Sequence, residues 1–498
     1  MSVTKMSSKT ASIHKHRNTD FVDSDTLRTK FALAMSAMYK EEVPLYSDLI
    51  GIVQDVNNTV LSEGASHVDQ DEIQRLALER HGAVRLGTAV EAHTIRRMFN
   101  VLGMSAVDYY DLSVAGLPMH ATCFRPTQAS SLSKNPFRVF TTLLRPELLE
   151  SRQARELALD LLAKRDIFSD ELKALLDIAE GQAYRLSHSQ ATPFIVEALR
   201  TFSWQPFAQA TQEQHQFLSE EHPILADIAC FSSAHINHLT PRTLDIDAAQ
   251  RAMKAAGMDA KSVIEGPPKR NIPILLRQTS FLALSESVQF KVDASHEKVC
   301  YVPGQHRARF GEIEERGAAL TQAGRRLYDN LHAQATSKES PKTGKSRAEA
   351  FAETFQEFPD NWSLLRQQGL VYCSYKYTGN FRHLDYQPRV ELDDSDLLKW
   401  LLKEGFVEAR PIVYEDFLPF SAAGIFQSNL AKSPEPGERH GKTSKHDQDG
   451  LELVLGCPIL SSSQLYASEE MTSAADSIDA WKRQGCNPGT VRTTRTNL

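Results

Sequence analysis

The chain is 498 residues long and 41% hydrophobic, enough apolar material for a large core and more than one minimal domain needs, so two or three structural units are expected. Its 56 Lys+Arg against 63 Asp+Glu give a formal charge of −7, with the signs interleaved along the chain, which argues against nucleic acid and anionic membrane as partners. No stretch approaches the roughly 18 consecutive apolar residues that span a bilayer, and no apolar core follows the N-terminal basic residues as in a signal peptide, so a cytoplasmic protein is the expectation.

The N-terminus is rich in Ser and Thr, carries Lys5, Lys9, Lys15 and Arg17, and has no acid before Asp20. This has some likeness to an organelle transit peptide, but a disordered tail over 1–23 is the simpler reading. The apolar residues of 24–63 recur at helical spacing with a break at Pro44, which predicts two amphipathic helices, and a short helix follows over 69–80. The pattern then changes: 81–89, opened by His81, alternates like a strand, and 91–102 returns to helical spacing and closes on Gly103-Met104. Strand-like segments follow within 106–124.

Helical spacing dominates 145–202, read as part of an inserted helical subdomain over 145–230. A second strand–helix unit comes next: 235–246 carries His235 and His238, the helix covers 247–256, and Gly257-Met258 closes it. Strand-like segments at 273–292 and 308–316 follow. The two copies share a histidine-bearing strand, a helix and a closing Gly-Met, which we read as an internal repeat of a strand–helix–strands module. The segments 334–347 and 432–450 are polar and rich in Ser, Lys and Pro, as expected of mobile loops. Six cysteines, Cys123, Cys230, Cys300, Cys373, Cys457 and Cys486, lie far apart with no CxxC pair, so they read as reduced, mostly buried thiols rather than a zinc site or disulfide framework.

No Walker sequence, dinucleotide fingerprint or GxSxG elbow is present. The informative residues are histidines and acids on strands. Two His and one carboxylate leave several positions of a metal open for substrate and O2, and His81, His238 and Glu312 fit that set. Glu312 falls between apolar neighbours on a strand that reads as buried, where a carboxylate is costly unless paired or metal-bound. The bland readings are a hydrogen-bonded core histidine and an ion pair of Glu312 with Arg277 or Arg309. His235 and Glu314 are rivals for two of the three positions.

ERHGAVRLGTA (79–89), HINHLTPRTLDID (235–247), IEGPPKRNIPILLRQTSF (264–281), ARFGEIEERG (308–317) and EDFLPFSAAGIFQSNL (415–430) resemble the 2-oxoadipate dioxygenase/decarboxylase family. That family belongs to the vicinal oxygen chelate superfamily and is similar in active-site plan to hydroxymandelate synthase and 4-hydroxyphenylpyruvate dioxygenase. The resemblance runs from about 24 to 470. It implies an α+β fold in which two strand–helix–strand modules of the vicinal oxygen chelate type form a curled β-sheet round one metal, with added helical segments.

By the same resemblance Fe(II) is held by His81, His238 and Glu312, with Glu314 as a supporting residue. The substrate-binding arginine falls on Arg85, on the same strand face as His81 and about 13 Å from it along the backbone, suited to hold the far end of a dicarboxylate. Ser421 falls on a second substrate contact, and Phe420 stands where the family usually has Val, so the pocket is expected to be smaller or to prefer another chain length. The implied reaction is 2-oxoadipate + O2 → 2-hydroxyglutarate (D) + CO2 in lysine catabolism. The 2-oxo acid would chelate the metal, with no separate 2-oxoglutarate required. An isomerase or lyase using Zn or Mn on the same modules is the alternative, and a non-catalytic binding protein without stoichiometric metal is a further one.

The expected organisation is a tail at 1–23, N-terminal helices with the first metal-binding module at 24–144, the helical insertion at 145–230, the second module at 231–330, a mobile loop at 331–350, a part completing the active site at 351–470, and a tail at 471–498.

Overall fold

The structure, a computed structural model, describes residues 20–63, 70–292, 300–338, 347–379, 392–418 and 445–485. The chain divides into two compact units: Met1–Lys261 with Ser280–Ile313 and Pro419–Ile459, and Ser262–Thr279 with Glu314–Leu418 and Leu460–Leu498.

The first unit opens with helices α1 (Ser24–Glu42), α2 (Pro44–Ser62) and α3 (Gln70–Leu78). Asp23 caps α1 by accepting from the Thr26 amide, and Pro44 occupies the first turn of α2, where its missing N–H costs nothing. Strand β1 (Arg80–Leu86), helix α4 (Ala89–Val101), strands β2 (Ser105–Asp111) and β3 (Met119–Arg125), helix α5 (Ala129–Lys134) and strand β4 (Arg138–Leu144) follow. Five helices then come in succession: α6 (Arg152–Ala163), α7 (Asp170–Gly181), α8 (His188–Phe202), α9 (Gln212–Glu221) and α10 (Pro223–Ala229). Strand β5 (His238–Pro241) and helix α11 (Ile246–Ala255) complete the pattern.

These strands form a five-stranded sheet of order β2-β3-β4-β1-β5. Strand β1 runs parallel to β4 and antiparallel to β5, with His81 opposite Thr240 and Ala83 opposite His238. Strand β4, RVFTTLL, is buried along its whole length. It lies between β1 and β3 and is absent from the sequence-based expectation. The repeat is visible at the helix ends: Gly103 and Gly257 adopt φ of +68° and +77° after α4 and α11. In both, the following Met amide bonds back to the carbonyl five residues earlier, Phe99 or Met253. Glycine takes this left-handed position without steric cost.

Further along are β6 (Leu276–Ser280), β7 (Glu286–Val292), β8 (Cys300–His306) and β9 (Glu312–Arg316), followed by α12 (Gln322–Lys338), α13 (Arg347–Thr354), α14 (Trp362–Gln367), β10 (Cys373–Tyr377), α15 (Asp394–Lys403), β11 (Val407–Pro411), α16 (Lys445–Leu455) and α17 (Ser462–Gly485). The pairs β6-β9, β7-β8 and β10-β11 are separate two-stranded ribbons. In the second unit Leu276, Leu320, Tyr328, Phe355, Leu365 and Tyr466 belong to one buried apolar cluster.

The mixed α+β composition is as expected. Among the described residues, however, the strands form one five-stranded sheet and three ribbons rather than one curled sheet. The start of the polar stretch 334–347 is the last turn of α12, and 471–485, which composition reads as tail, is the second part of α17. The described cysteines are free thiols, with Cys123, Cys230 and Cys373 buried and Cys300 exposed. No helix among the described residues is long and apolar enough to cross a membrane.

Candidate metal centre

Side chains alternate across a strand, so His81, Ala83 and Arg85 of β1 share one face, and the register puts Thr240 and His238 of β5 on it too. The two imidazoles are diagonal neighbours across the β1-β5 pair, with ring centroids 5.3 Å apart and nearly perpendicular. Glu312, the first residue of β9, reaches both: its Oε1 is 3.0 Å from His81 Nε2 and 3.4 Å from His238 Nδ1. The Thr240 hydroxyl donates to the same oxygen at 3.0 Å and lies 3.2 Å from His238 Nδ1. All three candidate donors have 0% exposure, and one donor atom from each lies within 4.8 Å of the others.

This donor set suits a divalent cation. A fully buried carboxylate needs positive charge close by. His81 and His238 direct ring nitrogens at Glu312, where a cation would neutralise the carboxylate and take an imidazole nitrogen from each histidine.

The surroundings fix the spacing. The buried Tyr39 hydroxyl on α1 lies 3.0 Å from the Asn237 carbonyl and 2.9 Å from the Phe310 carbonyl, the residues one before His238 and two before Glu312. Burial pushes the Tyr39 phenol well above its ordinary range despite the nearby Arg309 cation, so it stays a neutral donor. The Phe310 ring stacks on His238 at 4.9 Å. A Cβ on Gly311 would lie 2.2 Å from the Phe281 ring, so glycine there lets the chain reach Glu312 past a packed aromatic.

The rival residues go elsewhere. His235 lies 3.1 Å from Asp227 and edge-on to Trp204. Glu314 accepts from Arg316 at 2.8 Å, and Arg316 also donates to the Tyr414 and Asp416 carbonyls. Arg309 is bonded to Glu42 and Glu286, and Arg277 Nη1 donates to Glu315.

Arg85, on the metal face of β1, donates from Nη1 to Asp227 at 2.6 Å. Asp227 lies inside α10 and has 5% exposure. Burial alone would raise its carboxyl, but His235, Arg85 and His306 outweigh burial and hold it well below the usual range. Asp227, Thr240 and Tyr39 escape the sequence reading. Of these only Asp227 carries a signal, an acid inside the apolar run PILADIA. Ser421 and Phe420 lie outside the described residues.

The sequence matches the 2-oxoadipate dioxygenase/decarboxylase family over residues 31–429. A curated 2-oxoadipate dioxygenase/decarboxylase of Shigella flexneri is 46% identical over 456 residues, covering 91% of this chain and 98% of its own. One from Pseudomonas putida is 45% identical over 470 residues, covering 91% and 96%. Among solved structures, the hydroxyglutarate synthase from Pseudomonas putida in complex with 2-oxoadipate superposes with a TM-score of 0.82 at 43% identity, over 93% of this chain and 99% of that one. With a buried His-His-Glu group and a family match over most of its length, the chain belongs to the 2-oxoadipate dioxygenase/decarboxylase family.

Proposed function

We propose that this chain is an Fe(II)-dependent dioxygenase that converts 2-oxoadipate and O2 to D-2-hydroxyglutarate and CO2 in lysine catabolism. The observation that carries the reading is the convergence of His81, His238 and Glu312 at one fully buried point in a member of this family. Bound there, Fe(II) would act as Lewis acid and template, taking the 2-oxo acid through its carboxylate and keto oxygen and activating O2 beside it. The chain's own part is to exclude water, hold the three donors at fixed spacing through Tyr39, Phe310 and Gly311, and orient the substrate's other end.

Arg85 is proposed for that last task. Its position on the metal face, about 13 Å along the strand from His81, supports a guanidinium reaching back toward the distal carboxylate. Ser421 is proposed to donate to a substrate carboxylate, and Phe420 to set chain-length preference. Phe420→Val then shifts relative kcat/KM across a series of 2-oxo acids, and an unchanged series removes Phe420 from the pocket. We also read β1-α4-β2-β3 and the segment from β5 through β9 as the two modules of a vicinal oxygen chelate plan. The matching helix ends support this, as does the placement of one histidine on the first strand of each.

The deciding experiment is anaerobic reconstitution with Fe(II) followed by oxygen-electrode measurement with 2-oxoadipate. One O2 consumed and one CO2 released per substrate are expected. Turnover without O2, or with Zn or Mn alone, would overturn the reading in favour of an isomerase or lyase.

A further inference from the structure

Outside the three donor side chains, a dense polar cluster of the first unit is built around Asp227. Its Oδ2 accepts from Arg85 Nη1 at 2.6 Å and from Asn237 Nδ2 at 3.3 Å. Its Oδ1 is 2.9 Å from His306 Nε2 and 3.1 Å from His235 Nε2. His306 continues to His215, Nδ1 to Nε2 at 3.0 Å. The aromatic walls are Trp204, which stacks parallel to His306 at 6.3 Å and meets His235 edge-on at 4.8 Å, and Phe231, 4.6 Å from His306.

This arrangement is more than packing requires. An isolated buried carboxylate is among the costliest groups a core can hold, and here one is met by four side chains from β1, β8 and the loop before β5. Burial lowers the His235 pKa against the opposing pull of Asp227, and asparagine carries no charge. The remaining partner, Arg85, is a cation. Asp227 therefore has fixed coordinates set by the imidazoles and the amide, and passes them to the guanidinium through a short charge-assisted bond. A guanidinium on a long stem loses much rotamer freedom when it must meet a ligand in one orientation, and an anchored one has already lost it.

We propose that Asp227 is a positioning residue for substrate: it orients Arg85 to receive the distal carboxylate of a 2-oxo dicarboxylic acid, with His306, His235 and Asn237 holding Asp227 in place. This rests on the reading of Arg85 as the carboxylate clamp. It predicts that Asp227 governs selectivity for a second acid group and leaves metal binding untouched.

The test compares 2-oxoadipate with 2-oxohexanoate, which has the same chain length and a methyl group in place of the distal carboxylate, on Fe(II)-loaded full-length protein. In Asp227→Asn, kcat/KM for 2-oxoadipate should fall about tenfold, the equivalent of about 1.4 kcal/mol of lost orientation, mainly through KM. The value for 2-oxohexanoate should change less than about twofold, with metal stoichiometry and affinity as in the unaltered protein. Equal losses on both substrates, a loss confined to kcat, or no loss would each overturn the proposal. Arg85→Ala is run beside it: if that variant keeps its preference for the dicarboxylate, the clamp reading itself fails. If it loses the preference while Asp227→Asn keeps it, only the positioning role fails. Where Asp227→Asn does not fold, His306→Gln, which leaves the carboxylate and removes one imidazole from it, is read by the same substrate ratio. Failure of both variants to fold assigns Asp227 to the fold and overturns the proposal.

Discussion

Tyr39→Phe removes one oxygen atom from a helix remote in sequence from every metal donor, and its consequences can be worked from the contacts. The hydroxyl is buried within 3.0 Å of the Asn237 carbonyl and 2.9 Å of the Phe310 carbonyl. A single buried hydrogen bond contributes about 0.5–1.5 kcal/mol net, and a carbonyl left unsatisfied raises the cost toward about 3 kcal/mol. For a unit of this size that lowers Tm by only about 1–4 °C. The larger effect is expected on the metal. Asn237 and Phe310 lead into His238 and Glu312, so loss of the hydroxyl leaves only the Phe310 N–H to Asn237 carbonyl bond between these two residues and loosens the spacing of the donors. If about 1–1.4 kcal/mol of the bond favours the metal-competent spacing, apparent affinity falls by about five- to tenfold, because binding is reduced by the competent fraction. Titration of the metal-free protein with Fe(II) under anaerobic conditions, or with Mn(II) in air, measures this directly, and calorimetry supplies Tm. A Tm drop of the expected size with metal affinity unchanged within twofold would refute the reasoning and leave Tyr39 as an ordinary core hydrogen bond.

His81→Ala, His238→Ala and Glu312→Ala should each lose the roughly one metal per chain expected of a His-His-carboxylate site, whereas His235→Ala should keep it; elemental analysis of purified variants checks this, and the reverse outcome would reassign the donors. Arg85→Ala should lower kcat/KM for 2-oxoadipate by about 30- to 5000-fold, from the roughly 2–5 kcal/mol lost on truncating one partner of a buried charge pair. Because that change also strips Asp227 of its cation, the informative quantity is the ratio to 2-oxohexanoate, and Arg85→Lys should restore only part of it. His120 gives the pH prediction: burial, then the Arg145 cation, lowers its pKa from 6.5 to about 4. The unfolded chain then takes up the proton first as pH falls, so stability is full above pH 6.5 and is lost progressively from there to about pH 4. At pH 5 the loss is about 2 kcal/mol. The gap between urea midpoints at pH 7 and pH 5 should therefore narrow in His120→Phe, with the remainder left to His215, which burial also lowers to about 4, and an undiminished gap would assign the acid lability elsewhere.

The local elements of the first unit were legible because their signals are local. Pro44 marks the break between α1 and α2, the alternation after His81 marks β1, and Gly-Met closes both α4 and α11. Strand β4 was not legible, since RVFTTLL buried on both faces has no alternation to read and its place between β1 and β3 is set by long-range pairing. The second histidine strand was expected over 235–246 but is ordered as β5 only from His238 to Pro241, the part that pairs with β1. Burial of Glu312 could be argued from its apolar neighbours, yet the choice between Glu312 and Glu314, or His238 and His235, rested on motif resemblance. What separates them in space is the partner each finds: Arg316 for Glu314 and Asp227 for His235. Asp227 stands out as an acid in an apolar helix, but its role is set by the distant arginine and imidazoles that meet it.

The register of β1 against β5 also bears on when the protein can acquire its metal. His81 and Glu312 are 231 positions apart, and the strand pair that aligns the histidines joins segments that are also far apart in sequence, with His81 opposite Thr240. Such contacts form late, after much of the loop-closure entropy has been overcome. A ribosome that has finished α11 has released both imidazoles but not the carboxylate, so the emerging chain offers a passing ion an incomplete donor set. Metal uptake is thereby deferred until the last donor strand is in place, and a loaded centre reports a first unit whose long-range pairing is already complete.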